Sequence, residues 1–159
     1  MENFEIITKI RIYKESDYPD SKKELLNRAK ITALNAYAPY SNYYVGAAVL
    51  LEDGTIITGN NQENAAYPSG LCAERTALFY ANANYPDKAV KAIAIAAYNK
   101  GGYSKDVCTP CGSCRQVLVE VENRYSLPIE IIMYGEGQIY EVDSIRDLLP
   151  LSFGKDSMG

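Results

Sequence analysis

The sequence contains no histidine, which is the side chain that most often exchanges protons near neutral pH. If the protein is an enzyme, another group must transfer protons, and the usual substitute is a carboxylate whose pKa is raised. The search for a general base therefore falls on the Asp and Glu side chains.

Long apolar runs are also missing, so no segment of the chain is expected to span a bilayer. The first residues, Met1–Glu5, carry acids where a secretory signal would carry Lys or Arg. We therefore expect a cytoplasmic protein without a membrane partner.

A surplus of basic residues is missing as well. The chain has 16 Lys and Arg against 20 Asp and Glu, which gives a formal net charge of −4. Proteins that grip polynucleotides usually neutralise several phosphates with a basic face. The charge balance argues against nucleic acid as a partner.

What the chain does contain is enough sequence for one domain with a core: 159 residues, of which 47% are hydrophobic. It also contains four cysteines. In a reducing compartment, clustered cysteines more often bind metal or do redox chemistry than form structural disulfides.

Hydrophobic periodicity and turn signals predict helices interspersed with strands, in the order α-β-β-α-β-α-β-β-α. This order favours an α/β domain built on one sheet. The predicted strands are 44–51, 55–58, 90–98, 129–134 and 138–142, and a weaker alternation over 6–13 is compatible with one more short strand. The last residues, from Gly154, are predicted to be frayed.

The sharpest local motif is Cys111-Gly112-Ser113-Cys114, at a predicted helix start. On a helix this spacing puts both sulfurs on one face, and the helix N-terminus stabilises the thiolates that zinc binds. Cys72 also begins a predicted helix. Three interpretations compete: a catalytic zinc held by Cys72, Cys111 and Cys114, a structural zinc that adds Cys108, and a redox pair. Four unrelated buried thiols are the simplest alternative.

Cys108 forms a second Cys-x-x-Cys with Cys111, but Pro110 lies between them and disfavours helical geometry for the residue before it. We therefore expect Cys108 to be a packed thiol in the preceding loop and not a metal ligand.

Glu74 favours the catalytic interpretation. It lies two residues after Cys72, so it stays near a metal held there without having to bind it. Zinc lowers the pKa of a bound water molecule, and a carboxylate nearby can carry the proton that is released. A structural zinc has no use for such a base, although an acid in the first turn of a helix is also common for electrostatic reasons alone.

Cys72-Ala73-Glu74 followed by Pro110-Cys111-Gly112-Ser113-Cys114 resembles the signature of the zinc deaminases. Longer segments resemble the small tetrameric cytidine deaminases, and together they run from about Leu25 to Phe153. These segments are 38–41, 45–48, 59–68, 72–77, 148–150 and 152–153.

The resemblance implies a three-layer α/β/α domain with a central mixed five-stranded sheet. The deaminase domain would occupy residues 21–153, after an N-terminal extension of residues 1–20 and before a frayed C-terminus of residues 154–159. It also implies a homotetramer whose active sites are shared between subunits.

The resemblance implies the reaction as well: hydrolytic deamination of cytidine and deoxycytidine to uridine and deoxyuridine, with one Zn²⁺ per subunit. Cys72, Cys111 and Cys114 would hold the zinc, and Glu74 would carry protons to N3 and to the leaving amino group. Arg75 would donate hydrogen bonds to the thiolates and offset their charge.

The resemblance also assigns the substrate contacts. Asn61 and Glu63 would bind the ribose 3′-hydroxyl, and the backbone N–H of Ala73 would hold the pyrimidine carbonyl. Phe153, with Ala65 and Tyr67, would reach into the pocket of another subunit. Glu63 should also repel a phosphate, which favours a free nucleoside as substrate.

Three positions depart from the family pattern. Tyr43 occupies the place of a phenylalanine that packs against the substrate, so its ring can still stack but its hydroxyl needs a partner. Asn60 and Cys108 occupy places where Cys and Ser are common. Two alternatives remain: a deaminase of another cytosine-containing nucleoside or nucleotide, and a non-catalytic module with a four-cysteine zinc site.

Overall fold

The computed structural model describes residues 1–159 and contains three α-helices around one mixed sheet. The helices are α1 (Asp20–Ala33), α2 (Ala73–Asn84) and α3 (Gly112–Tyr125). The strands are β1 (Arg11–Lys14), β2 (Tyr44–Leu51), β3 (Ile56–Asn60), β4 (Val90–Asn99), β5 (Gly102–Tyr103), β6 (Glu130–Gly135) and β7 (Gln138–Val142). None of the helices combines the length and apolar character that a membrane crossing requires.

The strands are arranged in the order β1-β7-β6-β4-β2-β3, and β5 pairs with β4. Only β4 and β6 run parallel, and every other pair is antiparallel. A parallel pair needs a crossover, and α3 supplies it. This connection places the N-terminus of α3 beyond the end of β4, where the candidate site lies.

The predicted α/β class is confirmed, but the strand count of five was too low because β1 and β5 join the sheet. β5 is a two-residue return on β4 and lies within a predicted loop. The predicted last helix is a short 3-10 turn, Ile145–Asp147, capped by the Ser144 side chain. At the C-terminus, Lys155–Met158 forms another 3-10 turn.

β4 alternates large and small side chains on its two buried faces. Ile93 and Ile95 pack against α2 and α3, whereas the alanines at 92, 94 and 96 face α1. The small alanines leave room for α1 to approach the sheet. As a result one strand packs against helices on both of its faces.

Two glycines set the closest approaches between helices and strands. A Cβ at Gly46 on β2 would lie 2.1 Å from the carbonyl oxygen of Ala29 in α1. A Cβ at Gly59 on β3 would lie 2.5 Å from the amide nitrogen of Ala77 in α2. No other residue type fits these positions without moving a helix, so Gly59 fixes the position of α2.

The segment before α1 is joined to the domain by a charged network. Glu141 on β7 is fully buried, and its carboxylate accepts hydrogen bonds from the hydroxyl of Tyr18 at 2.6 Å, from Lys22 at 3.0 Å and from Arg11 at 3.2 Å. Burial and the Glu141 carboxylate raise the pKa of Tyr18, so this phenol stays a donor. β1 thus belongs to the packed sheet and is more than an appended tail.

We expect Glu141→Gln to lower the free energy of unfolding by about 2 kcal/mol, because Arg11 and Lys22 would lose a buried anionic partner. Asp143→Asn is the matched control, since Asp143 binds the same Arg11 but is 73% exposed, and a change of less than about 0.5 kcal/mol is expected. Urea denaturation at a fixed protein concentration measures both. If the two substitutions lowered the free energy of unfolding equally, the role given to the burial of Glu141 would be contradicted.

Candidate active site

The N-termini of α2 and α3 meet at one place, and three cysteines lie there. Cys72 and Cys111 are the N-cap residues of the two helices, and Cys114 lies in the first turn of α3. Their sulfur atoms all lie within 4.8 Å of one another, with 3.8 Å between Cys72 and Cys111 and 3.5 Å between Cys111 and Cys114. Both helix dipoles favour negative charge at this point.

The cluster fits a zinc ion. Three sulfurs at about 2.3 Å from a tetrahedral zinc lie about 3.8 Å apart, close to the separations in the structure. Three protein ligands also leave a fourth position for water or substrate, as catalytic zinc sites do.

The pKa values of Cys72 and Cys114 are shifted in opposite directions. The neighbouring Cys114 thiol and Arg75 lower the pKa of Cys72 to about 5. The hydrogen bond to Cys72, together with burial, raises the pKa of Cys114. Of these two thiols, Cys72 is therefore the one that ionises more readily, and thiolates are the form of cysteine that binds zinc.

Cys108 lies outside the cluster. The group of side chains that can hold a metal consists of Cys72, Cys111 and Cys114, and Cys108 is buried in the core. Burial raises the pKa of Cys108 to about 12, which keeps it a neutral thiol. This placement disfavours the four-cysteine structural site.

Glu74 lies in the first turn of α2 and is only 4% exposed. Burial, followed by the charge at Cys72, raises its pKa. A carboxylate that is buried beside the three cysteine thiols and is easier to protonate than usual has the properties of a general acid–base group.

Arg75 points back to the cluster. One of its terminal nitrogens lies 3.8 Å from the sulfur of Cys72, and its Nε is buried without a hydrogen-bond partner. The hydrogen bond to Cys72 raises the pKa of Arg75. The guanidinium is therefore placed to offset thiolate charge.

A cleft of about 510 Å³ opens beside Cys72 and Arg75. Its lining includes three residues that the resemblance assigned to substrate: Asn61, Glu63 and Tyr67. The cleft is lined by one acidic and one basic side chain, Glu63 and Arg75, and Arg75 contacts the sulfur of Cys72.

Asn61 and Glu63 are held by backbone groups of the chain. The Asn61 side chain accepts from the amide of Val45 at 2.7 Å and donates to the carbonyl of Tyr43 at 2.9 Å. Glu63 accepts from the amides of Tyr40 and Ser41 at 2.8 and 3.3 Å. Ser41, then Tyr40, lowers the pKa of Glu63, so the carboxylate is charged.

The remaining predicted residues are more dispersed. Ala73 is buried at the first position of α2, and Ala65 and Phe153 are exposed, whereas Tyr67 is exposed but lines the cleft. Phe153 does not line the cleft of its own chain. Burial, with the adjacent Cys108 thiol, raises the pKa of Tyr43 to about 12. Cys108 therefore lies next to the hydroxyl of Tyr43, the group that a phenylalanine at this position would lack.

Several residues that shape the site were not predicted from the sequence. Tyr40 and Ser41 line the cleft and bind Glu63, and Arg115 donates to the carbonyl of Pro110, directly before Cys111. The one signal for Arg115 was its position next to Cys114 at a helix start. Only the structure shows which carbonyl groups the Arg115 side chain contacts.

Comparison with known proteins is consistent with this geometry. Residues 19–126 match the family model described as the cytidine and deoxycytidylate deaminase zinc-binding region. The chain is 41% identical over 136 residues to the cytidine deaminase of Sporosarcina psychrophila, covering 86% of this chain and 93% of that protein. It is 39% identical over 140 residues to that of Halalkalibacterium halodurans, covering 86% and 97%.

Solved structures of cytidine deaminases are similar to this fold. The crystal structure of cytidine deaminase from Burkholderia pseudomallei superposes with a TM-score of 0.70 at 39% identity, covering 82% of this chain and 98% of that one. The cytidine deaminase of Mycobacterium tuberculosis gives 0.63 at 32% identity, covering 86% and 99%. The chain belongs to the cytidine and deoxycytidylate deaminase family. These findings confirm the resemblance, the zinc cofactor and the enzyme class predicted from the sequence.

We expect Cys108→Ser to retain about one zinc per chain, because its sulfur lies outside the cluster, whereas Cys114→Ser should lose most of its zinc because one of three ligands is gone. Metal analysis of both purified variants measures this. Loss of zinc in Cys108→Ser would restore the four-cysteine interpretation.

Proposed function

We propose that this protein catalyses the hydrolytic deamination of cytidine and deoxycytidine to uridine and deoxyuridine, with release of ammonia, as a step of pyrimidine salvage in the cytoplasm. The observation that carries the proposal is the cluster of three sulfurs with a buried carboxylate, Glu74, beside it. Relatives named cytidine deaminase support the substrate class. Four free thiols suit a reducing compartment.

Cys72, Cys111 and Cys114 are the zinc ligands in this proposal. A zinc ion held there supplies one piece of chemistry, the lowering of the pKa of a water molecule toward 7. Arg75, through its contact with Cys72, withdraws negative charge from the ligand set and so keeps the metal a better Lewis acid.

Glu74 moves the protons. Its carboxylate accepts a proton from the attacking water and delivers it to N3 of the pyrimidine as the water oxygen bonds to C4. It then passes the remaining proton to the amino group, the C4–N4 bond breaks, and ammonia leaves. Burial suits Glu74 to this exchange, because a group that is readily protonated can both accept and return a proton.

The nucleoside is held from two sides in this proposal. The unpaired N–H of Ala73 at the start of α2 binds the pyrimidine carbonyl, as helix N-termini do for negative oxygens. Asn61 and Glu63 bind the ribose 3′-hydroxyl with the hydrogen-bonding capacity that their backbone contacts leave free. Because Glu63 is charged, a phosphate at this position is repelled, which disfavours nucleotides and polynucleotides.

Tyr43 supplies a ring for the substrate to pack against. Of the other three contacts, Tyr67 lines the cleft of its own chain, whereas Ala65 and Phe153 are exposed outside it. We propose that all three contribute to shared sites in a homotetramer. Exposed large apolar side chains on α1, α2 and the loops, among them Ile31, Leu34, Phe79, Tyr80 and Leu151, support self-association.

The decisive test of the reaction is turnover by the purified zinc-loaded protein. We expect cytidine to be converted to uridine, and Glu74→Gln to reduce the turnover rate about a thousandfold while zinc content and melting temperature stay unchanged. Chromatography of the products measures both. Comparable turnover in Glu74→Gln would remove this residue from the mechanism, and no turnover in the zinc-loaded wild type would refute the proposed reaction.

Shared active sites make a separate prediction. Glu74→Gln chains keep Phe153 but lack the proton carrier, and Phe153→Ala chains have the opposite defect. If Phe153 acts in a neighbouring subunit, then co-expression of the two variants should give mixed oligomers more active than either variant alone. Activity equal to the average of the two separate variants would show that each site is complete within one chain.

A further inference from the structure

The segment that carries Phe153 has almost no backbone hydrogen bonds of its own. The amide of Leu149 bonds to Ile145 at the end of a 3-10 turn, and the next backbone pair begins at Gly154. No backbone–backbone hydrogen bond involves residues 150–153. Phe153 is also 60% exposed, so its position depends on side chains from elsewhere in the fold.

Two consecutive residues of α3 supply those contacts. Arg115 donates to the carbonyl of Leu148 at 2.8 Å, and Gln116 donates to the carbonyl of Phe153 at 2.8 Å. These bonds hold both ends of the segment against the first turns of α3. Cys114, the buried sulfur of the thiol cluster, directly precedes them in the same helix.

Arg115 also makes a second hydrogen bond, to the residue that precedes Cys111. Its Nε donates at 2.8 Å to the carbonyl of Pro110, the residue before Cys111. One planar guanidinium therefore joins the loop that carries Cys111 to the C-terminal segment. Arginine is suited to this because its donors diverge in a rigid fork, and hydrogen bonds from a charged donor are stronger than neutral ones.

We propose that Arg115 and Gln116 are positioning residues of the deaminase: they fix Phe153 relative to the thiol cluster so that its ring completes the nucleoside cleft of a second copy of this chain. The inference rests on the proposed function and deepens it. The ring of Phe153 does not line its own cleft, yet the carbonyl of Phe153 is anchored to the helix that holds two of the three sulfurs.

The first test is Gln116→Glu, which keeps the shape of the side chain but replaces the donor by an oxygen that faces the carbonyl of Phe153. We expect the KM for cytidine to rise about fivefold or more, because the net contribution of one hydrogen bond is lost. The kcat should stay within about twofold of the wild type, and the zinc content should not change. Gln138→Glu is the matched control: the same change at the start of β7, where Gln138 makes no side-chain hydrogen bond, and should leave KM unaltered.

The second test is a double-mutant cycle with Phe153→Ala. If Gln116 acts through Phe153, then Phe153→Ala alone should raise KM, and adding Gln116→Glu to it should change KM no further. Additive increases in KM would overturn the proposal, as would a Phe153→Ala variant with the KM of the wild type. A general structural defect would instead lower kcat, zinc content or melting temperature.

Arg115→Lys tests the other positioning residue, because a single ammonium on a flexible stem cannot serve both carbonyls in the same geometry. Its KM should rise several-fold, whereas Arg124→Lys, at the far end of α3 where the arginine binds the carbonyl of Pro86, should match the wild type. Equal KM values for Arg115→Lys and the wild type would reject the role. Failure of the proposed function is distinguishable, since it shows as a wild-type protein without turnover.

Discussion

The close approach of α2 to the backbone of β3 is the constraint on which the candidate site depends. At Gly59 the helix backbone occupies the space where any side chain would begin, so the axial position of α2 is set by contact with the strand. That position places Cys72 at the helix start and Glu74 in the first buried turn. The other half of the site comes from the crossover between the parallel strands β4 and β6, which returns the chain through α3 and places Cys111 and Cys114 opposite Cys72. The positions of Cys72 and Glu74 thus rely on backbone packing about one helical turn further along α2.

The electrostatics of the site follow from this arrangement. Two helix N-termini favour thiolates, but three thiolates together oppose one another, so the cluster is stable in its anionic form only around a cation. Arg75 reduces this repulsion from one side. Glu74, by contrast, is a buried carboxylate, and its burial raises its pKa and makes it easier to protonate. Cys72, whose thiol pKa is lowered, and Glu74, whose carboxyl pKa is raised, are therefore only two positions apart and differ in burial and in what each side chain contacts.

Much of this could be predicted from the sequence, because the chemistry is concentrated in short motifs. The spacing of Cys72, Cys111 and Cys114 predicted that these thiols could act together, the family resemblance favoured a catalytic zinc over the competing interpretations, and the predicted strand 90–98 matches β4 to within one residue. The pairing of β1 with β7 could not be predicted, because a four-residue edge strand leaves little periodicity and its partner lies more than a hundred residues away. The contacts of Arg115 could not be predicted for a similar reason. Its side chain donates to the backbone carbonyls of Pro110 and Leu148, and every residue has a carbonyl, so the sequence does not indicate which one is bound.

The network around Glu141 constrains how the sequence of this protein can drift. Arg11, Lys22 and Glu141 come from three separate segments. Glu141 is the fully buried member, whereas Arg11 and Lys22 are partly exposed and both also contact Glu130. Glu141 is therefore the position least open to single substitution. Concerted replacement by apolar side chains of similar volume is a different matter, since buried ion pairs can often be exchanged for hydrophobic contacts at no net cost. Homologous chains should thus fall into two groups at these positions, with the full charged set or with an apolar one, and few intermediates between them.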